Sequence, residues 1–172
     1  KEITPEGVSW ELEKSDTGWW LTLDVDDSEF PLPYVIDPAV SYRTSQTANN
    51  GAGSTSLTIN VPAGVTANDL LVAHVAVRGN GAITAPGGWT PLVDANNGNF
   101  IRQATYYRIA GGSEPASYQW TFASTPAAGG MSAFYGVKST SPVDVTGTTQ
   151  VANSATVTAP SVTTAANDAL VL

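Results

Sequence analysis

The chain has 172 residues, 42% of them apolar, which is enough for one sizeable core or two small ones. Only 13% of residues are charged, about half the usual share, so long helices with charged outer faces are disfavoured, whereas 16 glycines and 11 prolines suit short strands joined by turns. The net charge of −8 excludes the basic surface that nucleic-acid binding needs, the absence of cysteine excludes disulfides and thiolate metal sites, and no apolar run reaches the roughly 18 residues of a membrane helix, so neither nucleic acid nor membrane insertion is expected.

Charge divides the chain. Residues 1–40 hold ten acids against Lys1 and Lys14, whereas residues 41–172 hold five acids and five bases. A small acidic unit over 1–40 and a larger neutral unit over 41–172 follow. In the first, Val8, Trp10 and Leu12 alternate with Ser9, Glu11 and Glu13, and Trp19, Leu21, Leu23 and Val25 alternate with Trp20, Thr22 and Asp24. Period-two alternation marks strands with one buried and one wet face, and the intervening Ser15-Asp16-Thr17-Gly18 predicts a hairpin over 8–25. Pro31 and Pro33 then confine Tyr34-Val35-Ile36 to an edge strand.

The second unit opens with a short run at Ala39–Arg43, and the polar stretch Thr44–Ser54 reads as a loop with Asn49-Asn50-Gly51 at its tip. Strands are predicted at 55–61, 69–78, 90–94, 100–109, 117–123, 130–137, 142–146, 154–159 and 168–172, with Gly, Pro or Asn in nearly every gap, Gly129-Gly130 among them. No segment carries a helical period. The fold class is all-β: a small antiparallel β unit followed by a β-sandwich or jelly-roll domain.

An internal repeat bears on the end of that domain. Residues 57–72, L-T-I-N-V-P-A-G-V-T-A-N-D-L-L-V, align with residues 156–172, T-V-T-A-P-S-V-T-T-A-A-N-D-A-L-V-L, through a shift of one residue that superposes both prolines and both Asn-Asp pairs. The second copy predicts a strand at Ala169, Leu170, Val171 and Leu172 whose apolar side chains and backbone groups need a partner. The expected partner is another copy of the chain or the remainder of the same protein.

Residues able to support catalysis are sparse. His74 is the sole histidine, no G-x-S-x-G elbow occurs, and Asp69 and Asp168 belong to equivalent Asn-Asp turns, so no catalytic residue is assigned and an enzyme is not expected. Asp24, Asp26, Asp27 and Glu29 form the one cluster suited to Ca²⁺, with a solvated acidic turn as the plainer account; no other cofactor is indicated. Trp20 faces away from the Trp19 side of its strand and offers an indole for a sugar ring or an interface. Tyr106, flanked on its face by Arg102 and Arg108, offers a second platform. Tyr118, Trp120 and Phe122 alternate as a core stripe, and Trp89 reads as a core anchor.

The run from Ser56 to Val137, with V-P-A-G-V-T-A-N-D-L-L-V-A-H-V-A-V-R-G, A-P-G-G-W-T and Y-Y-R-I-A-G-G-S-E-P-A-S-Y-Q-W-T-F, resembles β-sandwich modules of large secreted or surface-anchored bacterial proteins of the adhesin-like, repeat-rich kind. F-P-L-P-Y-V-I-D-P-A-V resembles the closing segment of repeat domains in such proteins. The resemblance implies an extracellular or cell-surface location and a sandwich that continues past the second repeat copy. Three functions fit it: a non-enzymatic structural or adhesive module assembling by strand addition, a carbohydrate-binding module of a secreted polysaccharide-degrading enzyme, and a phage or injection-system fibre domain.

Overall fold

A computed structural model describes residues 8–15, 18–25, 40–151, 156, 159–166 and 169–171. The chain divides into two compact units, Lys1–Asp37 and Pro38–Leu172. In the first, β1 (Val8–Ser15) and β2 (Gly18–Val25) pair antiparallel from Val8 opposite Val25 to Ser15 opposite Gly18, so the expected hairpin is formed. The edge strand predicted at 34–36 lies outside the described residues.

The second unit is all-β, with no helix among the described residues. Its strands are β3 (Ser41–Asn49), β4 (Ser54–Asn60), β5 (Leu70–Arg78), β6 (Thr90–Asn97), β7 (Ile101–Ile109), β8 (Ser117–Thr125) and β9 (Ala127–Tyr135). Five form one antiparallel sheet in the order β3-β9-β5-β7-β6, and β4 pairs with β8 in a second. An isolated bridge between Thr84 and Thr121 lies against β8.

Alternation decides which face of each strand is dry. Leu71, Ala73, Val75 and Val77 of β5, Ala104 and Tyr106 of β7, and Met131 and Ala133 of β9 meet Leu57 and Ile59 of β4 and Tyr118, Trp120 and Phe122 of β8 in a single core. Trp89 stacks edge-on against Tyr118 and Trp120 at centroid distances of 5.2 and 5.3 Å, anchoring the loop before β6 over the same layer. The arrangement is sandwich-like, with side chains of the two sheets packed face to face.

Three departures from the sequence reading have physical causes. The stretch Thr44–Asn49, read as loop, belongs to β3, an edge strand whose side chains stay largely wet, so it shows no apolar alternation. Gly129 and Gly130, read as a turn, lie in the middle of β9. A Cβ on Gly129 would stand 2.6 Å from the carbonyl oxygen of His74 and 3.0 Å from Leu57 Cδ2, so the close approach of β4 and β5 demands glycine there. The strands predicted at 142–146, 154–159 and 168–172 are not formed by the described residues of those segments, 169–171 included. Strand-like composition yields a strand only where a neighbouring ladder satisfies it.

Candidate functional site

The sheet edges of the second unit are its chemically open features. A strand edge presents backbone N–H and C=O groups without partners, and folded proteins blunt such edges with bulges, proline, charge or a covering segment. β6 carries Pro91 and a register shift between Pro91 and Val93. β3 carries a bulge between Tyr42 and Thr44 that turns Arg43 out of the ladder. The far edge of β8 is taken at Thr121, whose N–H and C=O both bond Thr84 at 3.0 and 2.8 Å. β4 pairs with β8 alone, and its opposite side has no strand partner among the described residues.

The second feature is the segment 169–171. Leu170 and Val171 are 45% and 63% exposed and sit outside any strand. Leu172, the last of the four residues assigned to this edge, lies outside the described residues. In the first repeat copy the matching residues, Leu70, Leu71 and Val72, form the start of a strand paired on both sides, with β7 and with β9. Similar sequence therefore stands in two opposite states of pairing.

The charged side chains are tied into the scaffold. Asp69 is 2% exposed; its Oδ2 accepts the Thr66 N–H at 2.9 Å and lies 2.7 Å from Arg43 Nε, while Oδ1 accepts from Arg43 Nη2 at 3.1 Å. Asn68 beside it adopts a left-handed φ of 71°, the conformation that lets the Asn-Asp pair close the turn before β5. Arg102 forks onto Asp94 through Nε and Nη2 at 2.8 and 2.6 Å and also donates to the Asn80 carbonyl. The Arg102 hydrogen bonds hold the Asp94 carboxyl below its usual range. Glu114 accepts from Arg108 Nη2 at 3.1 Å, from the Gly111 N–H at 2.7 Å and from the Tyr118 hydroxyl.

No protein-family model, curated protein or solved structure matches the chain.

Tyr106 is 6% exposed, packs on Trp120 and donates its hydroxyl to the Ile83 carbonyl at 3.1 Å, so it is a core residue and not a ligand platform. The correction follows from parity: Ala104 and Tyr106 share the inner face of β7, and the flanking Arg102 and Arg108 reach its two ends to find Asp94 and Glu114. Trp20 lies in β2 opposite Glu13, and the placement of its side chain is outside what the structure describes. Asp24 stands opposite Ser9 in the same hairpin, whereas Asp26, Asp27 and Glu29 lie outside the described residues. Among the described residues no three His, Cys, Asp or Glu side chains converge as a cation site.

His74 points to the outer face of the five-stranded sheet, with Nδ1 3.0 Å from Thr105 Oγ1, and partial burial between strands lowers its pKa from 6.5. The Thr105 hydroxyl is the group that the structure sets against the ring, and no carboxylate is among the described contacts of His74. Sequence reasoning missed the roles of Arg43, Asn50 and Glu114. Asn50 carried a turn signal, but Arg43 and Asn50 find partners far away along the chain, at Asp69 and at Thr125 and Ala127, whereas Glu114 gathers Arg108, Gly111 and Tyr118 from within six residues around its turn.

Proposed function

We propose that this chain is a non-enzymatic structural or adhesive module of an extracellular bacterial surface protein or fibre, and that it assembles by strand addition through the segment 169–172. The observation that carries this reading is the exposure of Leu170 and Val171 without a strand partner among the described residues, in a segment that repeats the opening of the fully paired β5. Main-chain hydrogen bonds supply affinity in such a contact, and alternate side chains set its register. The rigid sandwich-like body then acts as a spacer and display surface. Partners are other copies of the chain or further segments of the same protein. A low charge content with abundant Thr, Asn and Gly supports the extracellular assignment.

The test is the self-association of the wild type and of Leu170→Asp by sedimentation velocity. An aspartate cannot enter an apolar strand contact without a large desolvation cost, so the variant is expected to stay monomeric at concentrations where the wild type associates. Equal sedimentation of the two proteins at every concentration overturns the proposal.

A further inference from the structure

We propose that the strand-accepting surface is the free edge of β4, at Thr58 and Asn60, and that its occupant is the segment around Leu170 and Val171 of a second copy of this chain. This rests on the strand-addition reading above and supplies the acceptor that the reading leaves open.

The direction of the backbone groups identifies the edge. The Val61 N–H donates to the Ala116 carbonyl at 3.0 Å, continuing the ladder in which Ile59 faces Tyr118 and Leu57 faces Trp120. In an antiparallel pair the residues that exchange hydrogen bonds alternate with those whose N–H and C=O point the other way. Leu57, Ile59 and Val61 therefore bond towards β8, and the backbone groups of Ser56, Thr58 and Asn60 point to the free side. The Ser56 carbonyl is already taken by Asn50 Nδ2 at 3.3 Å, which leaves Thr58 and Asn60 as the open positions of the edge. Thr58 and Asn60 follow without proline, charge or register shift, and both are exposed.

Space beside this edge is open. Gln46 of β3 lies opposite Met131 of β9 and shares its inward face, yet Met131 is buried and Gln46 is exposed. The smaller sheet thus covers β3 near Ala48 but leaves it open at Gln46, and a third strand beside β4 would continue the layer that covers the larger sheet. The other edges are poorer acceptors: β6 has Pro91, β3 its bulge, β8 the Thr84 bridge, and the hairpin strands β1 and β2 carry Glu11, Glu13, Lys14 and Asp24.

The repeat points to the occupant. Ala169-Leu170-Val171 matches Leu70-Leu71-Val72, which the fold uses as a strand, and the exposed copy forms no strand pairing with β4 of its own chain. Laid beside β4, Leu170 turns towards the layer of Leu57 and Ile59, and Val171 turns to solvent beside Thr58. The second unit has balanced charge over 41–172, so two copies meet there without net repulsion. The contact is head-to-tail, and it propagates into a fibre unless it closes into a ring.

The chain has no cysteine, so single-cysteine variants report this contact directly. Thr58→Cys and Val171→Cys, mixed under mild oxidation, are expected to give a disulfide heterodimer, whereas Val171→Cys mixed with Thr47→Cys on β3 is not. Independently, Thr58→Pro removes one N–H from the free edge and spares the β8 ladder; it is expected to weaken self-association about tenfold with an unchanged circular dichroism spectrum. A heterodimer with Thr58→Cys supports the proposal. Preferential cross-linking to Thr47→Cys, or none to Thr58→Cys while Leu170→Asp still abolishes association, overturns the β4 acceptor and leaves strand addition standing. Wild-type protein that remains monomeric overturns both.

Discussion

Arg43 Nε lies 2.7 Å from Asp69 Oδ2, so the side chain ejected by the β3 bulge is locked to the buried carboxylate that closes the turn before β5. The pair links a sheet edge to the central strand. Removing one member of a buried ion pair leaves an uncompensated charge, whereas an exposed pair is worth little. Asp69 is buried and the Arg43 side chain is 31% exposed, which places this case between the two limits. Asp69→Ala also strips the Thr66 N–H of its acceptor. A loss of about 3 kcal/mol is expected for Asp69→Ala in urea unfolding, against less than about 1 kcal/mol for Asp94→Ala at the exposed Arg102 fork.

Gly129 has its own test. Its added methyl would overlap the His74 carbonyl oxygen, a backbone atom that cannot turn aside. Gly129→Ala is expected to lower the unfolding free energy by about 2 kcal/mol or more through overpacking. Gly147→Ala, with no atom within 4 Å of the new methyl, serves as the control and should leave the urea midpoint nearly unchanged.

Asn50 joins three strand ends. Its Nδ2 donates to the Ser56 and Thr125 carbonyls at 3.3 and 3.0 Å, and its Oδ1 accepts the Ala127 N–H at 2.7 Å. Asn50→Ala is expected to cost about 2 kcal/mol. Amide hydrogen exchange should locate the damage, with the Ala127 N–H losing protection before the centre of β9 does.

Tyr118 provides a pH readout. Burial, with a further contribution from its hydrogen bond to Glu114, pushes the phenol up from 10.0 to about 12. A pKa raised on folding means that the native state holds this proton more tightly than the unfolded chain. The associated stability is complete below pH 10 and is lost as pH rises towards about 12. Titration of tyrosinate absorbance checks this. Glu114→Gln should lower the Tyr118 pKa and still leave it above 10.0, because burial is the larger cause.

The sequence by itself determined the strands that have one dry face. Leu57 and Ile59, the alternate residues Leu71, Ala73, Val75 and Val77 of β5, and Tyr118, Trp120 and Phe122 follow a period of two because each strand separates core from solvent, and the structure buries those residues. The Asn-Asp turn before β5 was legible for a similar local reason, since its hydrogen bond spans only three residues. The polar edge strand β3, the mid-strand Gly129 and the burial of Tyr106 were decided only by tertiary structure. Each depends on a neighbour distant in sequence: β9 beside β3, the His74 carbonyl against Gly129, and Ile83 above Tyr106. Alternation reports how wet a face is and carries no information about which strand lies alongside. For that reason the repeat at 156–172 could be read as strand-like, while only the folded neighbours decided that its described residues remain unpaired.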